Sequence, residues 1–169
     1  MGYTHLTDIT KFVSPFEIVK SAGTWTPTIS SNLVSDVRTA AGAAFTIFIP
    51  IDLPGSHAGT QGAKVISIDV WYKIGTAAAS DFAVPTLHKT TLRADGVAVA
   101  GAAVTVALDA AHDTAAELKA VADHKKTITP AAPFFLQDDE AYFITFVVTA
   151  AAGTVFTLFG AQINYTLRL

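Results

Sequence analysis

Apolar and polar residues alternate along most of the chain. From Lys64 it reads KVISIDVWYKIG, placing Ile66, Ile68, Val70, Tyr72 and Ile74 on one face. Val65, Ser67, Asp69, Trp71 and Lys73 fall on the other. A period of two with this many β-branched residues predicts a strand. AAFTIFIPI repeats the pattern with Phe45, Ile47, Ile49 and Ile51, and Pro50 assigns its end to an edge or a bulge. Five further segments read as strands: Thr24–Ser30, Leu33–Ala40, Asp81–Leu92, Ala102–Asp109 and His124–Pro130. Asp95-Gly96 is a turn signal after the third of these. Two more, Ala141–Thr149 and Thr154–Leu169, are joined by AAAG, where Gly153 supplies the freedom a short hairpin loop needs.

One segment reads as helical. Thr114 and Glu117 have capping-box spacing, and residues from Ala115 to Val121 are good helix formers, so one or two turns are expected within a long connection. Residues 1–23 carry Pro15 and mixed polarity and read as an N-terminal arm, leaving 24–169 as a single domain. The fold class predicted is all-β: an antiparallel β-sandwich, a jelly roll of about eight strands, with one short helix in a connection.

The uncharged run from Ala141 to Leu167 is long enough for a membrane helix. Its alternation argues for strands instead. Val155, Thr157, Phe159, Ala161, Ile163, Tyr165 and Leu167 share one face, and the other begins Phe156, Leu158 and ends Gln162, Asn164, Thr166. The second face thus starts apolar and turns polar. In a monomer its start would be an exposed apolar patch, so Phe156 and Leu158 are expected to form a subunit contact. Trp71, on the polar face of its strand, and Phe12 and Phe16 in the arm join them as candidate interface residues.

Composition sharpens the assembly reading. Charged residues make up 15% of the 169 and mean hydropathy is +0.44, against about 25% charged in a typical domain. A surface so poor in charge needs covering by other copies or by a membrane. The net charge of −3 and scattered Lys and Arg argue against nucleic acid. The chain has no cysteine, and its first residues lack the pattern of a secretory signal peptide.

Candidate chemistry is thin. PGSHAGTQGAK, Pro54 to Lys64, lacks the GxxxxGK[ST] order of a phosphate loop and reads as a surface loop. His112-Asp113 and Asp123-His124 bracket the short helix and could converge on a metal. Asp138-Asp139-Glu140 reads as a polar turn opening a strand. There is no His-x-His and no GxSxG, and no pair of carboxylates stands out. No catalytic residue, cofactor or metal is assigned. An outward Trp71 or Trp25 leaves a sugar-binding surface as the alternative.

The segments VISIDVWYKIGTAA and FGAQINYTLRL, with the Ala/Thr/Val-rich body between them, resemble bacteriophage and metagenomic virion proteins. These are small cysteine-free β-sandwich proteins that decorate or build capsids and fibres. The resemblance implies a structural, non-enzymatic role. The partners it implies are copies of the chain itself, commonly as trimers, and other virion proteins, with assembly in the host cytoplasm. No nucleic-acid, membrane or small-molecule partner is expected. The alternatives are a carbohydrate- or receptor-binding module, or a subunit of an extracellular filament.

Overall fold

The computed structural model describes residues 6–53, 62–92, 95–99 and 101–168. The N-terminal half contains β1 (Leu6–Val13), β2 (Val19–Lys20), β3 (Trp25–Ser30), β4 (Leu33–Arg38), β5 (Ala44–Ile51), β6 (Lys64–Gly75) and β7 (Asp81–Phe82). Then come β8 (Thr86–Leu92), β9 (Ala98–Val99), β10 (Ala103–Val104), β11 (Val106–Leu108) and helix α1 (Ala115–Leu118). β12 (Ala122–Pro130), β13 (Phe134–Phe135), β14 (Glu140–Thr149) and β15 (Val155–Arg168) complete the chain.

The strands form two antiparallel sheets packed as a sandwich, the fold class expected from the alternation. The larger sheet runs β11-β12-β6-β15-β4-β3, with β1 also on β15 and β13 on β6. The smaller runs β10-β8-β14-β5-β2, with β7 on β14 and β9 on β8. Among the described residues no helix is long and apolar enough to cross a membrane.

The core follows from the period of two. Phe45, Ile47, Ile49 and Ile51 of β5, with Tyr142, Ile144, Phe146 and Val148 of β14, face inward from one sheet. Ile68, Val70, Tyr72 and Ile74 of β6 face them from the other. An aromatic cluster knits the sheets together: Phe156 stacks on Tyr72 at 5.4 Å and meets Phe45 edge-on at 5.3 Å. Trp25 meets Phe45 and Phe156 edge-on at 5.5 and 6.2 Å. Trp25 is therefore half-buried, with its ring packed edge-on against the core.

Phe156 and Leu158 do not form a subunit contact. Both are 0% exposed within the chain's own core. A β-bulge explains why their face turns polar further on. Leu158 pairs with Tyr72 but Gly160 pairs with Trp71, so Phe159 is an extra residue and the strand changes phase. Before the bulge Phe156 and Leu158 point inward; after it Ala161, Ile163 and Tyr165 do. The same device recurs on β6, where Asn164 pairs with Ser67 and Tyr165 with Val65. Ile66 is skipped, and Val65 turns inward.

Gly160 makes the main bulge possible. Its φ is +127°, and a Cβ there would lie 2.7 Å from the Val13 carbonyl oxygen and 2.8 Å from the Phe12 ring. Gly160→Ala should therefore lower stability by about 1–3 kcal/mol and loosen β1. Denaturant midpoints together with proteolytic cleavage within residues 6–13 check this; an unchanged midpoint would remove the need for glycine.

Residues 6–13 of the N-terminal segment lie along the edge of the chain's own larger sheet, from Leu6 opposite Arg168 to Val13 opposite Ala161. Val13 and Ile18 are buried, whereas Phe12 and Phe16 stay exposed. The expected capping box is present. Thr114 Oγ1 accepts from Glu117 N–H at 3.3 Å, and Thr114 N–H donates to Glu117 Oε2 at 3.1 Å. The helix stops after one turn, and buried Leu118 closes that end of the sandwich. Asp138 and Asp139 form the expected turn before β14. The glycine-rich stretch expected to be a surface loop lies outside the described residues except for 62–64.

Candidate functional site

β15 has two partners in succession along one edge. β4 pairs with it from Phe156 to Leu158, and β1 takes over from Ala161 to Arg168. The Phe159–Gly160 bulge occupies the gap. β4 continues beyond Asp36 paired only with β3, as a hairpin whose turn is Ser31 (φ 48°) and Asn32 (φ 68°). Two successive positive φ values match the twist of a two-residue hairpin, and asparagine tolerates them well.

The hairpin tip, the bulge, β1 and the outer face of β6 and β12 enclose an open groove of about 720 Å³. Phe12, Trp71 and Phe159 supply its aromatic walls, and Leu33 of the hairpin adds aliphatic surface. Asn32, Asp123 and Lys125 contribute polar groups. Phe12 is 58% exposed and Trp71 half-buried.

Around Trp71 the outer face carries a connected polar cluster. Lys125 Nζ lies 5.5 Å from the Trp71 ring centroid and 3.4 Å from Asp69 Oδ2. Asp69 Oδ1 accepts from Thr127 Oγ1 at 2.5 Å, and its Oδ2 from Asn164 Nδ2 at 3.2 Å. Asn164 also donates to Ser67 Oγ at 3.0 Å and accepts from Gln162 Nε2 at 3.0 Å. These bonds account for a buried aspartate on an outward face and hold Lys125 over one side of the indole.

A second cluster lies where β12 meets the α1 connection. His112 Nδ1 stands 2.7 Å from Asp109 Oδ1, His112 Nε2 stands 3.2 Å from His124 Nδ1, and His124 Nε2 stands 2.9 Å from the Ala120 carbonyl oxygen. Both imidazoles are buried. Burial works against the Asp109 carboxylate, but bonds from Thr127 N–H, His112 and Ala111 N–H outweigh it and hold its pKa below the ordinary value. Burial also lowers the pKa of His124, against the opposing effect of its bond to Ala120. His124 stacks on Tyr72 at 4.6 Å. The Tyr72 hydroxyl donates to the Leu118 carbonyl at 3.0 Å, and burial, with the charge of Asp109, raises its pKa. Two residues along β12, Lys126 also points inward.

The structure thus brings together His112 and His124 of the two sequence pairs, but not their neighbouring aspartates. Asp123 instead pairs with Lys73 at 3.4 Å. Among the described residues no group of three or more His, Cys, Asp or Glu side chains is arranged to hold a metal. Of the residues expected at an interface, Trp71 and Phe12 meet in the groove and Phe16 is exposed elsewhere. Phe159 and Asn32 were not singled out from the sequence. The signal for Phe159 is a glycine following an aromatic in a strand, which marks a bulge.

No protein-family model matches the chain, and no curated protein matches its sequence. Similar solved structures include the enzymatically active domain of bacteriophage CBA120 tailspike protein 4, at 13% identity and TM-score 0.37. That likeness covers 93% of this chain and 19% of the tailspike chain. The carbohydrate-binding module TmCBM61, in complex with beta-1,4-galactotriose, is 8% identical with TM-score 0.40, covering 96% of this chain and 88% of the module. The arabinose-bound α-L-arabinofuranosidase MgGH51 is 11% identical with TM-score 0.33, covering 95% of this chain and 23% of the enzyme. At these TM-scores the likenesses carry no functional argument.

Proposed function

We propose that this chain is a β-sandwich binding module that holds a carbohydrate chain in the outer-face groove, without cleaving it. The observation that carries this reading is the half-exposed Trp71 ring beside Phe12 and Phe159, with Asn32, Asp123 and Lys125 at the same groove. A sugar ring has apolar C–H faces and a polar rim. It therefore suits a site where aromatic surface adjoins a few hydrogen-bonding groups. The volume of about 720 Å³ falls in the range of small-molecule sites, roughly 300–1,000 Å³. Asp123 is the one acidic side chain among the described residues lining the groove. Hydrolysis of a glycosidic bond ordinarily uses two carboxylates flanking it, so the lining supports binding and not cleavage.

Trp71→Ala should weaken retention on an oligosaccharide-bearing matrix at least about tenfold, while the unfolding midpoint stays nearly unchanged because the ring faces outward. A glycan array with the wild-type chain identifies the sugar. Absence of glycan binding, or full binding by the Trp71 variant, would overturn the reading.

Exposed apolar residues favour a second reading. Phe12, Phe16, Val19, Ile29 and Leu33 are all exposed in the first third of the chain. This is the composition of a surface that other copies cover, as expected of a virion subunit. Light scattering separates the readings: a trimer or larger particle that protects Trp71 from solvent quenchers favours assembly, and a monomer with a quenchable Trp71 favours the groove as a ligand site.

A further inference from the structure

The two buried histidines bracketing α1 form a cluster of their own behind the groove, whose wall His124 reaches. Each has its far nitrogen tied to an oxygen that only accepts: His112 Nδ1 to the Asp109 carboxylate at 2.7 Å, and His124 Nε2 to the Ala120 carbonyl at 2.9 Å. Both far nitrogens must therefore carry hydrogen. In a neutral imidazole the other nitrogen is then bare. The bare positions are His112 Nε2 and His124 Nδ1, and they face each other at 3.2 Å. Two lone pairs at that distance repel; the contact is relieved when one ring takes a second proton and donates an N–H···N bond, or when a metal ion lies between the two nitrogens.

From this arrangement we infer that His112 and His124 form a two-histidine site for a divalent transition-metal ion such as Zn²⁺. Zinc–imidazole bonds are about 2.0–2.1 Å long. With those lengths, nitrogens 3.2 Å apart subtend about 100° at the metal, close to the tetrahedral angle. The outer partners also fit. A metal-binding histidine almost always donates its second N–H to a carboxylate or a backbone carbonyl, which fixes the tautomer and the ring's direction. Here one histidine has each kind. Asp109 is itself held by Thr127 N–H at 2.7 Å and Ala111 N–H at 3.1 Å. The Tyr72 ring, stacked on His124 at 4.6 Å, fixes the second imidazole.

The described residues offer no third His, Cys, Asp or Glu ligand, so the remaining coordination positions fall to water or to a donor atom of a bound molecule. Bound metal would join the loop before α1, through His112, to β12, through His124.

The test is titration of the chelator-stripped full chain with Zn²⁺, followed by calorimetry and by imidazole ¹⁵N NMR. The expected result is one Zn²⁺ per chain. The largest ¹⁵N shifts should fall on His112 Nε2 and His124 Nδ1, with His88 unmoved. His112→Gln should weaken binding at least tenfold, and His88→Gln should leave it unchanged. The NMR readout uses the unaltered chain, so it stands even where a histidine variant folds poorly. Failure to take up one equivalent of Zn²⁺, shifts confined to other histidines, or undiminished binding by His112→Gln would overturn the site. His124 also lines the groove, so glycan binding is read separately, from the Trp71→Ala comparison.

Discussion

Replacing Phe156 and Leu158 together by threonine should abolish cooperative folding, not separate subunits. Both side chains are completely buried, and Phe156 packs against Tyr72, Phe45 and Trp25 at once. Truncating a buried phenylalanine costs about 3–5 kcal/mol and a buried leucine about 2–5 kcal/mol. Each threonine also brings a hydroxyl into an apolar interior, a further penalty unless it finds a partner. The sum is comparable with the whole stability of an ordinary domain, roughly 5–15 kcal/mol. Circular dichroism and urea unfolding check the outcome. A well-folded double variant with an unshifted midpoint would mean that these side chains lie outside the core.

That expectation reverses the one drawn from sequence alone, and the bulge is the reason. Alternation specifies the faces of a strand only while the phase is kept. On β5 it is kept, and the inward set of Phe45, Ile47, Ile49 and Ile51 reads correctly from the sequence. On β15 one extra residue at Phe159 swaps the faces, so the apparent patch of Phe156 and Leu158 is the interior itself. A glycine inside a strand is the visible trace of such a shift, and Gly160 is that trace.

The groove was legible in part. Trp71 stood out as an aromatic on a polar face, and it does face outward. Phe12 stood out too, as an apolar residue of the arm, but nothing in the sequence placed it beside Trp71 or pointed to the other neighbours. Phe12, Asn32, Phe159 and Lys125 come from four separate strands or turns, joined only by the order in which β1 and β4 share the edge of β15. Strand order is not written in local periodicity. The two histidines were flagged by their symmetry about α1, but the residue that orients His112 is Asp109, not the adjacent Asp113. The turn at 109–112, where His112 N–H bonds back to the Asp109 carbonyl at 3.0 Å, sets that geometry.

Lys126→Met should stabilise the protein at pH 7. On β12, His124 and Ile128 face inward, so the period of two carries Lys126 inward between them. Its side chain is 2% exposed, and Nζ has no hydrogen-bond partner among the described residues. The Phe82 ring, 5.5 Å from Nζ, is the nearest compensation of the cation–π kind. Burial pulls the Lys126 pKa down from 10.5 to about 7, with the charge of Asp109 acting in the opposite direction. Between pH 7 and about 10.5 the unfolded chain therefore binds a proton that the folded chain does not. Stability should rise with pH across that window and level off beyond either end. A shift of this size corresponds to a penalty on the order of 3–5 kcal/mol near neutrality. Methionine fills a similar volume without a charge and removes it. Urea midpoints of both proteins at pH 7 and pH 10, with a chelator present, make the comparison. The variant's advantage should be largest at pH 7 and shrink toward pH 10, and taking the difference cancels titrations common to both chains. A variant that is less stable at pH 7, or an advantage independent of pH, would mean that the lysine keeps its charge in the fold with a partner of its own.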